Sequence, residues 1–177
     1  KPGTEWRYGM SLDVLGAILG IVQGSTLGDA VAHYVTRPLD MTDTAFTLNN
    51  YARLAIPYRD NEGGATRMNG VEIVSPEGRP TFMFDPARVF DNRSYQSGGA
   101  GMVGTATDFL RFLEAIRKGG APILKRETVE MAVANQIGTL VREDSPGWRF
   151  SYLGAWLEDR GVAKVPFADG ALRWGGV

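Results

Sequence analysis

Apolar residues spaced three and four positions apart predict two consecutive helices near the start of the chain. The first follows Ser11 as a helix cap and ends at Gly24, with its apolar stripe at Leu12, Leu15, Ile18, Leu19 and Val22. Two glycines inside it each weaken the helix by about 1 kcal/mol, unless a neighbour packs closely against them. The second helix starts at Ser25 or Thr26, and Pro38 stops it.

The strongest helical pattern lies later, after a run of small residues at 97–102. Thr107 is the predicted cap, and the apolar face is Phe109, Leu110, Phe112, Leu113 and Ile116. Glu114 and Lys118 are four residues apart on the opposite face, which predicts a stabilising ion pair. A further helix is predicted over 126–134.

Strand patterns are short in the middle of the chain and clearer at its end. Residues 60–96 are rich in glycine and proline and predict one short strand at 71–74; so long an irregular stretch often lines a binding site. Two strands are predicted at 149–158 and 172–177, adjacent and antiparallel because a glycine-containing connection separates them.

Composition narrows the possible functions. Hydrophobic residues make up 44% of the 177 residues and charged residues 22%, as in a globular core. Nucleic acid and anionic membranes require a basic face, and the net charge of -1 does not point to one, so we expect neither as a partner. The chain has no cysteine and one histidine, so we expect no metal and no other cofactor. Compartment and oligomeric state remain open.

Three segments, in this order, resemble one known family. They are Pro2-Gly3-Thr4 with Tyr8 and Asp13-Val14-Leu15-Gly16, then Ser97-Gly98-Gly99-Ala100-Gly101-Met102, and last Trp174-Gly175-Gly176. The chain resembles the serine β-lactamase-like carboxylesterases (family VIII esterases), which are related to class C β-lactamases and D-Ala-D-Ala carboxypeptidases. The resemblance implies the α+β fold of β-lactamases and penicillin-binding-protein transpeptidases, in which an antiparallel sheet flanked by helices packs with a mostly helical region.

The domain organisation follows from the same resemblance. Residues 1–145 would form the mostly helical region, and residues 146–177 would return to the sheet. An N-terminal part and the C-terminal end of the full domain are expected to lie outside the chain.

The resemblance also implies site residues. Tyr8 takes the position of the tyrosine that shuttles a proton during acyl transfer, which a serine hydroxyl requires. Trp174, Gly175 and Gly176 take the position of the motif that binds substrate on the edge strand, and the N–H of Val177 would donate to the oxyanion. Without the flanking motifs, Tyr8 would be interpreted as a residue that fills a loop-to-helix junction beside Trp6; the motifs favour the catalytic interpretation.

The family's nucleophile belongs to an S-x-x-K motif, and the chain contains none. Its lysines are Lys1, Lys118, Lys125 and Lys164, and the residues three before the last three are Ala115, Pro122 and Gly161. We therefore expect the nucleophile on a segment outside this chain and no esterase activity from these residues alone. A non-catalytic relative that acts as a binding or scaffold protein remains the alternative.

The expected substrate is a small-molecule ester with a short or medium acyl chain. Where lactamases have a lysine that meets a carboxylate, Trp174 offers an apolar wall and one N–H donor. Met10 cannot hydrogen-bond an amide as an asparagine would. Both features favour neutral esters, with a β-lactamase or D-Ala-D-Ala peptidase of the same fold as the alternative.

Two other features have structural interpretations. His33 lies within the second helix without a nucleophile motif to join, so we expect a packed or surface histidine. The segment 97–102 lacks the lysine and the spacing of a phosphate-binding loop, and it predicts a tight turn.

Overall fold

The computed structural model describes residues 1, 3–49, 52–74, 81–140 and 145–175. The chain divides into two compact units. One is Ser11–Phe109, and the other combines Lys1–Met10 with Leu110–Val177. Each contains helices and small antiparallel sheets, consistent with an α+β class.

The first unit opens with the two predicted helices. Helix α1 spans Ser11–Gln23, and α2 spans Leu27–Val31 and continues as a π-helix over Ala32–Thr36. Thr26 caps α2 in a capping box, in which its hydroxyl accepts from the Asp29 N–H while the Asp29 carboxylate accepts from the Thr26 N–H. Side-chain capping thus selects Thr26, one of the two residues that the sequence allowed.

The packed face of α1 within this unit is its glycine face. A Cβ on Gly16 would lie 3.2 Å from the Gly98 Cα and 2.9 Å from a methyl group of Leu27, so the backbones approach closely. This is the close neighbour that the glycines in the helix required. The aliphatic side chains of α1 are largely exposed instead: Leu12, Val14, Leu15, Ile18, Ile21 and Val22.

Four short strands between residues 58 and 84 form two antiparallel pairs. Strands β1 (Tyr58–Arg59) and β2 (Thr66–Arg67) pair with each other, as do β3 (Glu72–Val74) and β4 (Phe82–Phe84). A 3-10 helix over Pro86–Phe90 follows. Strand β3 confirms the prediction at 71–74, whereas the other three strands were not predicted.

Helix α3 spans Ala106–Arg117, and the division between the units falls within it. The prediction of Thr107 as its cap was wrong: the Thr105 hydroxyl accepts from the Asp108 N–H, and the helix begins one residue later. The Asp108 carboxylate is buried and accepts from the Asp43 N–H at 2.8 Å and the Thr44 hydroxyl at 2.9 Å.

The second unit holds the larger sheet. It contains α4 (Arg126–Val133), β5 (Trp148–Ser151), β6 (Gly154–Leu157), α5 (Arg160–Ala163) and β7 (Leu172–Arg173). The sheet order is β5-β6-β7, and both neighbouring pairs are antiparallel. The antiparallel pairing of the two terminal segments confirms the prediction.

The single strand predicted over 149–158 is a hairpin of two strands. The Ser151 hydroxyl donates to the Gly154 carbonyl at 3.0 Å and accepts from the Leu153 N–H at 3.1 Å, which closes the turn. Gly154 has φ +128, a conformation that favours glycine. The buried core is formed by three residues of the hairpin itself: Trp148, Ala155 and Leu157. The partly buried residues Ala163, Val165 and Ala171 pack against it.

Within the described part of the chain, no single helix is both long and apolar enough to cross a bilayer.

Candidate active site

Tyr8 and Trp174, the two side chains expected at the active site, lie next to each other in the second unit. Their ring centroids are 5.7 Å apart, and the ring planes are inclined by 35°. They are 166 positions apart in the sequence (174 minus 8), so the fold brings them together. Tyr8 precedes the first helix of the chain, and Trp174 directly follows β7.

Two further rings that the sequence analysis did not assign to the site complete this group. Phe150 on β5 lies 5.3 Å from Trp6 and 5.3 Å from Trp174, in the latter case edge-to-face at 80°. Trp6 also lies 6.4 Å from Tyr8. We call Trp6, Tyr8, Phe150 and Trp174 the aromatic cluster. The spacing Trp6-x-Tyr8 and the aromatic alternation along β5 were the available signals.

Gly154 permits the close approach of β7 at this end of the sheet. A Cβ on Gly154 would lie 2.9 Å from the Arg173 carbonyl oxygen and 3.4 Å from the Trp174 Cβ. Any side chain would therefore push β7 and Trp174 away from the hairpin, in addition to the strain that the positive φ imposes.

Arg173, the last residue of β7, contacts the core residue Trp148. Its guanidinium lies 4.1 Å from the ring centroid of Trp148, which is only 2% exposed. A cation over an indole face is favourable, more so where the ring is shielded from water. Arg149 and Glu158 bridge β5 and the end of β6, with 2.7 Å between the guanidinium and carboxylate. The residue before Trp174 is thus anchored to the core.

The cluster has a half-buried base and an exposed rim. Trp6 and Phe150 are half-buried, whereas Tyr8 is 72% exposed and Trp174 is 48% exposed. A Cβ on Gly175 would meet no atom within 4 Å, so the space beside this residue is open. Gly176 and Val177 lie outside the described residues, so the predicted oxyanion donor stays a prediction, as do the catalytic and binding roles of Tyr8, Trp174 and Gly175.

The other candidates have the geometry of structural residues. Ser97 donates its hydroxyl to the Asp13 carboxylate and accepts from the Gly99 and Ala100 N–H groups, both at 3.0 Å, which makes the predicted tight turn. His33 lies exposed in the π-helix, with its ring edge-to-face against Tyr34 at 4.6 Å.

Comparison with known proteins supports one assignment over the whole chain. The family model described as "Beta-lactamase" matches residues 1–177. "Esterase EstB" from Burkholderia gladioli is 42% identical over 178 residues, which is 99% of this chain and 45% of that protein. The chain therefore spans less than half the length of this relative.

Solved structures agree with the sequence comparison. The structure of "EstCE1, a hydrolase with promiscuous acyltransferase activity" has a TM-score of 0.91 and 37% identity, and the match covers 100% of this chain and 47% of that one. An octameric penicillin-binding protein homologue from Pyrococcus abyssi has a TM-score of 0.63 at 17% identity, over 86% of this chain and 30% of that one. The latter likeness shows the fold alone, and together they confirm the predicted fold class.

Proposed function

Because this chain belongs to the β-lactamase family, as the resemblance of its motifs predicted, we propose that the full-length protein hydrolyses carboxylic esters. The esterase and hydrolase among its relatives, at 42% and 37% identity, support this reaction class. The proposal extends to substrates with short or medium acyl chains.

In the proposed mechanism the ester reacts through an acyl-enzyme. A serine hydroxyl supplied by a part of the protein outside this chain attacks the ester carbonyl, and the alcohol leaves. The Tyr8 phenol carries the proton from the serine to the departing alkoxide. Water then attacks the acyl carbon, the bond from that carbon to the serine oxygen breaks, and a proton from the water returns to the serine as the acid leaves. The Val177 N–H donates to the oxyanion in both steps, where loss of one donor typically costs on the order of 10²–10³ in rate.

The single observation that carries the proposal is the ring contact between Tyr8 and Trp174 at 5.7 Å. The two residues come from the two motifs that the family uses on either side of its reacting serine. The residues of this chain leave Tyr8 72% and Trp174 48% exposed.

Trp174 supports neutral esters over anionic lactams as substrates. Its indole presents an apolar face and one N–H donor, and it has no cation for a substrate carboxylate. We expect p-nitrophenyl butyrate to be turned over faster than a cephalosporin or a D-Ala-D-Ala peptide by the full-length enzyme. Faster cleavage of the cephalosporin would instead establish the β-lactamase alternative.

Tyr8→Phe in the full-length enzyme tests the mechanism. Loss of the phenol oxygen removes the proton carrier, so we expect kcat for p-nitrophenyl butyrate to fall on the order of 10²–10⁴-fold. Tyr152→Phe is the matched control, because Tyr152 is 66% exposed in the turn of the hairpin. Equal activity of the two variants would contradict the role of Tyr8.

Two results separate the remaining alternatives. No turnover of any ester by the full-length protein would favour the non-catalytic binding or scaffold protein. Conversely, p-nitrophenyl acetate turnover above background by the isolated 177-residue chain would contradict the proposal that the nucleophile lies elsewhere.

A further inference from the structure

We infer that the aromatic cluster is an acyl-binding subsite that prefers flat aromatic acyl groups, and that Phe150 is the positioning residue that sets its geometry. This inference rests on the proposed ester hydrolysis and names the substrate class of the same site. It goes beyond the assignment of Trp174 as an apolar wall, because it assigns a shape preference and a role to a residue outside the family motifs.

Phe150 links the three segments that build the cluster. It lies 5.3 Å from Trp6 in the N-terminal segment and 5.3 Å from Trp174 after β7. Its own strand, β5, is the one that pairs with the central strand β6 at four positions, including Phe150 with Ala155. The ring of Phe150 is therefore held on the most regular part of the sheet, whereas Tyr8 and Trp174 lie outside regular strands.

The two most exposed rings of the cluster can meet a flat ligand. Tyr8 and Trp174 remain 72% and 48% exposed, although each contacts another ring of the cluster. Aromatic rings pair best with other rings in offset or edge-to-face arrangements, at centroid separations of roughly 4.5–7 Å. The separations within the cluster fall in that range, so a further ring can join it by the same geometry, whereas a puckered saturated ring of similar size gains only apolar contact.

A matched pair of esters tests the preference in the full-length enzyme. p-Nitrophenyl phenylacetate and p-nitrophenyl cyclohexylacetate share the leaving group and the position of the ring, and neither ring is conjugated to the carbonyl. For each ester, kcat/KM is divided by the rate constant for its uncatalysed hydrolysis by hydroxide. We expect this normalised kcat/KM to favour the phenylacetate ester by about 3- to 10-fold, the size of a ring-pair preference. A ratio of one or below in the parent enzyme would overturn the inference.

Substitutions at Phe150 test the positioning role. Phe150→Leu keeps an apolar side chain but removes the ring, and we expect the phenylacetate preference to fall to about one. Phe150→Tyr keeps the ring and is expected to retain the preference. Should Phe150→Leu fail to fold, Trp174→Leu provides the second test, with the same expected loss of the ratio.

The outcomes distinguish this inference from the proposed function. If the enzyme cleaves p-nitrophenyl butyrate but shows no phenylacetate preference, or if the ratio is unchanged in both leucine variants, only the aromatic subsite is refuted. If no ester is cleaved at all, the hydrolase assignment fails first.

Discussion

Gly98→Ala is expected to be the most damaging single-methyl addition in the first unit. A Cβ at this position would lie 2.0 Å from the carbonyl oxygen of Leu12 and 2.8 Å from its carbonyl carbon. Real Cβ contacts essentially never fall below 3.0 Å, so the two segments must separate by at least 1.0 Å, the difference between 3.0 and 2.0. Both clashing atoms are backbone, so no side-chain rotation can relieve them.

The expected cost follows from that rigidity. Overpacking typically destabilises by about 1–3 kcal/mol, and a backbone clash belongs near the upper end. For a protein of this size, about 3 kcal/mol corresponds to a fall in Tm of roughly 6–12 °C. Gly16→Ala should cost less, because its Cβ would meet a movable Leu27 methyl group at 2.9 Å and the Gly98 backbone only at 3.2 Å, and alanine favours the helix by about 1 kcal/mol.

Thermal and urea denaturation followed by circular dichroism provide the measurement. Gly70→Ala is the matched control, since a Cβ there meets no atom within 4 Å. It should change the free energy of unfolding by no more than about 0.5 kcal/mol. If Gly98→Ala and Gly70→Ala unfold at the same temperature, the close packing of the turn against α1 is refuted.

Three further substitutions test other parts of the fold. Asp108→Ala removes the acceptor shared by the Asp43 N–H and the Thr44 hydroxyl, and urea denaturation should show a loss of about 1–3 kcal/mol; no loss would contradict a structural role for the carboxylate. Gly154→Ala should displace Trp174, because the new Cβ would lie 2.9 Å from the carbonyl oxygen of Arg173. We expect a changed near-UV circular dichroism spectrum, and an unchanged spectrum would refute this. Hydrogen bonds from the Arg117 guanidinium, with a smaller effect of Lys118, lower the pKa of Glu114 from 4.5 to about 2. A lowered carboxylate pKa stabilises the folded state above about pH 4.5, and this contribution is lost as the pH falls toward about 2. The free energy of unfolding of Glu114→Gln should therefore fall slightly less at acid pH than that of the parent; identical acid limbs would count against the pairing.

Helical periodicity predicted the helices well because their patterns are long. The predicted ion pair between Glu114 and Lys118 is present at 3.5 Å, and Arg117 adds a second one at 2.8 Å. The cap of α3 was misplaced because two threonines, Thr105 and Thr107, are both suitable caps and only backbone geometry distinguishes them. Local sequence signals therefore locate a helix more accurately than they locate its first residue.

The hairpin was missed for a specific reason. Aromatic alternation continues from Trp148 through Phe150 to Tyr152, so the pattern gives no sign that the strand reverses. The turn is closed by the Ser151 hydroxyl, which period-two alternation cannot detect. Gly154 was the one residue in the predicted strand that suggested a break.

The candidate site was predictable only in part. The family resemblance supplied Tyr8 and Trp174, and the fold then placed their rings in contact. Trp6 and Phe150 were not predicted, because no motif includes them and aromatic alternation along a strand is also typical of a packed sheet face. Roles that depend on Gly176 and Val177 still rest on the resemblance.

The exposed side chains of α1 have a practical consequence for work on this polypeptide. Ile21 and Val22 are 80% and 74% exposed, on a helix whose only charged residue is Asp13. Apolar surface of this kind is a known aggregation liability. A preparation of these residues alone should bind the dye ANS and sediment faster as its concentration rises, and glutamate at both aliphatic positions should suppress both effects.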